Sequence, residues 1–256
     1  MAEPITTATR DESDPRPAGL RRIAIVPAYN EADAIEAVIK EVRLVDPELE
    51  IVVVDDGSVD GTASRAHKLG VDVVRLPYNL GIGGAMQTGY QFARDHGFEL
   101  AIQVDGDGQH DPGEIAKLID PVVAGEADMA VGTRFAGGNR YRPPFARRVG
   151  IQLFARVVSL IVRQRVTDTT SGFRAVNRRG IVLFASDYPH DYPEVETTVL
   201  VHRHRLRMVE VPVSMRTRAA GRSSITLFQS IYYMLKVSLA LLVGLFRRHS
   251  TPLEER

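Results

Sequence analysis

The residues best equipped for chemistry lie in one stretch, Gln103-Val104-Asp105-Gly106-Asp107-Gly108-Gln109-His110-Asp111-Pro112. It follows Leu100-Ala101-Ile102, an apolar run that reads as a buried strand, and ends at Pro112, a fitting first residue of a helix. Asp105 and Asp107 are two apart, and Gly106 and Gly108 permit tight bends between and after them. Where the chain leaves strand geometry, the two carboxylates can converge. Converging carboxylates repel, and the pKa of one rises unless a counter-charge arrives. Mg²⁺ or Mn²⁺ answers that need, favouring carboxylates, water and phosphate oxygens. The same pattern also fits an acidic turn with a helix cap.

The elements around this stretch repeat one plan. Arg22 to Val26 reads as a strand ending in Pro27-Ala28-Tyr29-Asn30-Glu31, and the next helix carries Ala34, Ile35, Val38, Ile39 and Val42 at helical spacing. Ile51 to Val54 is an apolar strand that stops at Asp55-Asp56-Gly57-Ser58. A third strand, Val71 to Val74, leads through Asn79-Leu80-Gly81-Ile82-Gly83-Gly84-Ala85 into a helix expected over Met86 to Arg94. Ala127 to Val131 gives a fifth strand, ending at Gly132-Thr133-Arg134. Alternating strands and helices predict an α/β, mostly parallel, Rossmann-like sheet flanked by helices, with ligands at the carboxyl edges of its strands. Four polar or glycine-rich edges are expected to converge there: Pro27–Glu31, Asp55–Ser58, Asn79–Ala85 and Asp105–Gln109. A dinucleotide site is excluded, because Gly81-Ile82-Gly83-Gly84 lacks the G-x-G-x-x-G spacing and follows the third strand, not the first.

Composition bounds the rest. At 256 residues, 44% apolar and 25% charged, the chain suits one large domain or a domain with an appendage. It has no Cys, which excludes disulfides, thiolate metal sites and Cys nucleophiles. The formal charge of zero hides an asymmetry: residues 1–130 carry 24 acidic against 11 basic side chains, residues 131–256 carry 8 against 21. From Arg134 to Arg179 there are 11 arginines and one acid, Asp168. An acidic half with a metal-type motif and an arginine-rich half point to two partners, a metal–nucleotide and an anion such as a phosphate or membrane surface. Salt bridging between the halves accounts for part of this.

Residues 1–20 read as a disordered tail, and the apolar core of a signal peptide is missing. Gly137 to Pro144 reads as a loop able to close over a site. Phe145 to Val162 reads as an amphipathic helix with Arg147, Arg148 and Arg156 basic, open to membrane contact or to core packing with solvated arginines. Ser230 to Phe246 is 17 residues with Lys236 inside, short of the roughly 20 apolar residues of a spanning helix. An interfacial or re-entrant helix, a docking helix for a small membrane subunit (residues 225–248), and a buried packing helix all fit.

Six motifs in order, the four edges with Asp105 to Pro112, Asp168-Thr169-Thr170-Ser171-Gly172-Phe173-Arg174 and Arg218-Ala219-Ala220-Gly221-Arg222-Ser223, resemble family 2 glycosyltransferases with the GT-A fold. The last two resemble the polyprenyl-phosphate, dolichyl-phosphate mannose synthase-like branch. The resemblance covers roughly residues 22–225. It implies a GT-A domain over 21–224, with a nucleotide-sugar and metal half (21–133), an acceptor half (134–224) and an interfacial helix and tail (225–256). It implies Pro27, Tyr29 and Glu31 around base and ribose, Asp56 accepting from the base, and Gly84 and Asp105 at the nucleotide. Asp105, Asp107 and Gln109 are the implied Mg²⁺ or Mn²⁺ contacts, and Arg134, Arg147, Arg218 and Ser223 the acceptor-phosphate contacts, with Arg148 close behind. The branch's usual Gly-x-Ser-Lys is Gly221-Arg222-Ser223-Ser224 here.

Some residues keep two readings. Glu31 suits the nucleotide pocket or a helix cap, Asp55 braces its loop, and His110 is structural. Asp168 suits a catalytic base or acceptor orienter, or an ion pair opening the Ser171-Gly172 turn. In Tyr192-Pro193-Glu194-Val195-Glu196, either glutamate suits sugar positioning or loop bracing.

The expected activity is inverting, metal-dependent transfer of a hexose from a nucleotide diphosphate sugar (GDP-mannose or a UDP-sugar) to a polyprenyl phosphate, peripherally at the cytoplasmic membrane face. No nucleic-acid partner is expected. The alternatives are transfer to a glycan hydroxyl and a catalytically silent nucleotide-sugar-binding subunit of a membrane complex.

Overall fold

The computed structural model describes residues 19–135, 145–190 and 192–216, with backbone alone for 145–153. The tail before residue 19, the Arg147 and Arg148 side chains, the 137–144 loop, Arg218, Ser223 and the 225–256 stretch lie outside the described residues or side chains.

Seven strands form one sheet in the order β3-β2-β1-β4-β6-β5-β7. They are β1 (Arg22–Ala28), β2 (Glu50–Asp55), β3 (Asp72–Arg75), β4 (Leu100–Gln103), β5 (Met129–Thr133), β6 (Arg174–Asn177) and β7 (Met208–Pro212). The first four are parallel, as are β5 and β7. Strand β6 runs antiparallel to both its neighbours, β4 and β5. The sheet is therefore mixed at its centre, with a strand from the second half of the chain inserted between two from the first.

Alternation along β1 shows why the sheet is buried on both faces. Ile23 and Ile25 join one core with helices α3 (Gly81–Asp95), α5 (Phe145–Val162), α6 (Arg178–Ser186) and α7 (Pro193–Arg203). Ala24 and Val26 join the opposite core with α1 (Ile35–Val45), α2 (Thr62–Lys68) and α4 (Ile115–Val123). The apolar stripe read for α1 is the buried one: Ile35, Val38, Ile39 and Val42 are each under 5% exposed.

Helix α3 corrects the sequence reading, since it begins at Gly81 and not at Met86. The glycine run is its first turn. The Asp56 carboxylate accepts the Leu80 and Gly81 N–H groups at 2.7 and 2.9 Å, which supplies partners for a helix start that glycines alone disfavour.

Candidate active site

The carboxyl ends of β1, β2 and β4 and the first turn of α3 meet around a cleft of about 300 Å³. Its lining takes Pro27, Ala28, Tyr29 and Glu31 from the first edge and Asp56 from the second. Ile82 and Ala85 come from the third, and Asp105, Gly106 and Asp107 from the fourth. All four edges thus contribute. Gly84 lies outside the lining; a Cβ there would meet Leu80, so it serves the packing of its own helix. Gln109 sits on the same loop as the aspartates, and its N–H donates to Asp107 Oδ1 at 3.0 Å.

Side chains bind the first two edges to each other. Asn30, held at φ +54°, accepts the Val59 N–H on its side chain and donates its own N–H to Ser58 Oγ. The Glu31 N–H donates to Thr62 Oγ1, and the Asp56 N–H to the Ala28 carbonyl. Helix α1 has no side-chain cap; the Glu31 carbonyl accepts from Ala34 and Ile35, while the residue lines the cleft. Asp55 braces its loop, accepting the Ser58 N–H and pairing with Arg75 at 3.2 Å. Burial raises the pKa of Asp56, opposed by its two N–H donors.

Asp105 and Asp107 stand two residues apart in this lining. The Gln103 amide donates to Asp105 Oδ1 at 2.9 Å. His110 is buried beside Asp105 and stacked on Phe173, and its backbone is bridged to Met215. The next residue, Arg216, donates its N–H to the Gln109 carbonyl and spans Glu41 and Asp111 with its guanidinium. The segment after β7 therefore runs along the aspartate loop.

Among the described residues no group of three or more His, Cys, Asp or Glu side chains forms a closed metal cage. The donor chemistry still suits a hard divalent cation, which is commonly held by one or two carboxylates with phosphate and water oxygens completing the shell.

The Asp168–Arg174 loop is built on different bonds. Asp168, with no side-chain exposure, accepts from five donors: Arg134 N, Nε and Nη2, and Thr170 N and Oγ1. Such a carboxylate is an anchor, which favours the ion-pair reading over the base. Glu210 on β7 accepts the Thr167 and Asp168 N–H groups and fixes the loop from behind. Sequence reasoning missed Glu210, since an acid inside Met-Val-Glu-Val-Pro carries no motif.

Arg174 was also unassigned. It is 2% exposed, and its guanidinium donates to the carbonyls of Ser171, Pro193 and Glu194 and to Thr197 Oγ1. It pins the 168–173 loop to the start of α7. Burial raises the pKa of the Glu194 carboxyl, Arg174 opposes, and Asp105 adds to the rise. Glu194 thus feels the charge of the aspartate loop.

The mostly parallel sheet flanked by helices is a GT-A, Rossmann-like fold, as the superposition on solved structures shows. The model of glycosyl transferase family 2 matches residues 23–182, and the chain belongs to that family. It is a glycosyltransferase. Polyprenol monophosphomannose synthase of Mycolicibacterium smegmatis is 31% identical over 80% of this chain and 81% of its own length. Undecaprenyl-phosphate mannosyltransferase of Micrococcus luteus is 29% identical over 81% of this chain and 88% of its own. Among solved structures, glucosyl-3-phosphoglycerate synthase of Mycobacterium tuberculosis with Mn²⁺, UDP and phosphoglyceric acid superposes with a TM-score of 0.67. It is 24% identical and covers 90% of this chain and 80% of its own. No helix among the described residues is long and apolar enough to cross a membrane.

Proposed function

We propose that the chain transfers a hexose, mannose by the names of two relatives, from a nucleoside diphosphate sugar to a polyprenyl phosphate, with inversion. The observation carrying this reading is the convergence of all four strand-edge loops on one cleft with Asp105 and Asp107 in its wall.

Pro27, Tyr29 and Glu31 receive the base and ribose. Asp56 reads the base; each of its oxygens already takes one helix N–H and retains acceptor capacity. Asp105 and Asp107, with Gln109 beside them, would hold Mg²⁺ or Mn²⁺, which would supply charge stabilisation to a diphosphate leaving group. Arg134, oriented by Asp168, joins Arg147, Arg218 and Ser223 at the acceptor phosphate. That oxygen is anionic at neutral pH, so attack needs no base. A membrane-borne acceptor places the enzyme peripherally at the cytoplasmic face, with residues 225–256 as the contact. Residues 21–224 form the catalytic domain.

The purified chain with labelled nucleotide sugar, Mn²⁺ and polyprenyl phosphate gives an organic-extractable product of inverted anomeric configuration. Binding of nucleotide without turnover on any acceptor would leave only a silent subunit. One observation favours a second reading, a hydroxyl acceptor: the carboxyl of Glu194, its pKa raised and Asp105 among the causes, has the character of a general base. Product on soluble glycans alone, lost in Glu194→Gln, would select it.

A further inference from the structure

We infer that Gln103 and His110 are positioning residues for Asp105, locking its carboxylate in one orientation ready for a divalent cation. The inference rests on the proposed role of Asp105 as a metal contact. The Asp105 side chain is one-third exposed on the loop beyond β4. Two buried neighbours fix it. Gln103, 4% exposed, donates its amide to Oδ1 at 2.9 Å.

His110 acts twice. The Asp105 N–H donates to Nδ1 at 3.0 Å, which places the proton of the neutral ring on Nε2. Nε2 stands 3.5 Å from Oδ2, a polar contact longer than a full hydrogen bond. The ring cannot turn freely, because it lies parallel to Phe173 at 4.6 Å and 10°.

One loop presses on both neighbours. Phe173 is the stacking partner, and at Gly172 any Cβ would lie 2.7 Å from Gln103 Nε2 and 3.5 Å from Asp105 Oδ2. Only glycine lets the loop close over the amide without displacing it. Arg174 holds that loop against α7. A loop from the acceptor half thereby sets the geometry of a donor-half carboxylate. Donors that fix a ligating carboxylate commonly change metal affinity by roughly 10–100-fold when removed.

Mn²⁺ titrations of the full chain, followed by the free-ion EPR signal in the presence of UDP or GDP, test this. Gln103→Leu removes the amide; His110→Phe keeps a ring on Phe173 and removes both nitrogens. Each variant is expected to bind Mn²⁺ about 10-fold to 100-fold more weakly while its thermal midpoint stays within a few degrees of wild type. Should His110→Phe fail to fold, Gln103→Leu decides alone. Wild-type Mn²⁺ affinity in the folded variants overturns the positioning role and leaves the proposed function standing. A wild-type protein that takes no Mn²⁺ with either nucleotide overturns both.

Discussion

The two halves of the chain hold their charges by opposite means. In the first half, carboxylates at the loop turns are held by N–H groups: Asp56 by Leu80 and Gly81, Asp107 by Gln109. In the second half, guanidinium groups are held by oxygens: Arg174 by carbonyls and a hydroxyl, Arg134 by Asp168 and Thr170. A carboxylate with one N–H per oxygen keeps lone pairs for a ligand. Arg174, buried and spread over several fixed acceptors, has become a strut. Asp56, Asp105 and Asp107 thus stand in the cleft wall, while the buried Asp168 and Arg174 chiefly carry architecture.

That contrast can be broken by separating activity from stability. Asp107→Ala should lower sugar transfer by at least about 10³-fold, and chelation of divalent ions should do the same, because charge stabilisation on the leaving group is lost. Its unfolding free energy should fall by only about 0.5–1.5 kcal/mol, since one N–H acceptor at a partly buried position is lost. An Asp107→Ala protein that unfolds early would erase the distinction.

Asp168→Ala should do the reverse. Removing one partner of a buried ion pair leaves Arg134 and two donors of Thr170 uncompensated, a cost of about 3–5 kcal/mol read from urea unfolding. Asp56→Ala falls between the two classes. It strips the α3 start of its acceptor, costing about 1–2 kcal/mol by the same measurement, and weakens nucleotide binding as well.

The smallest effect concerns pH. Burial raises the Glu194 pKa above its ordinary 4.5, so above that pH the folded state retains a proton that the unfolded chain has released. Stability from this group therefore falls as pH rises from 4.5 through the raised value. Glu194→Gln should flatten that decline and gain on wild type towards neutral pH in thermal melts between pH 4 and 8. An unchanged slope would show that Arg174 compensates the charge fully.

The first half of the sheet and its cleft were legible because their signals are local. Continuous apolar runs such as Ile51 to Val54 mark strands buried on both faces, and the polar residues ending them fall at the ligand edge. The start of α3 was misread because glycine lowers helix propensity, and the compensating cap comes from Asp56, 25 residues earlier. Strands β6 and β7 carried no comparable signal. Arg174-Ala175-Val176-Asn177 is four residues long and opens on a charge, and β7 contains Glu210 and ends at Pro212. Their pairing is decided by partners distant in sequence. The bond of Arg134 to Asp168 was foreseen in kind, since a lone acid among arginines must pair, but its five-donor closure was visible only in three dimensions.

The antiparallel insertion of β6 carries a consequence for how such a protein can diversify. Strands β4 and β5 touch only through β6, so residues 21–133 cut out alone would leave both with raw, unpaired margins prone to self-association. The first half is consequently not a detachable cartridge that could be joined to a foreign second half. Changes of acceptor must instead be written into loops and chain ends, around a sheet that both halves weave together.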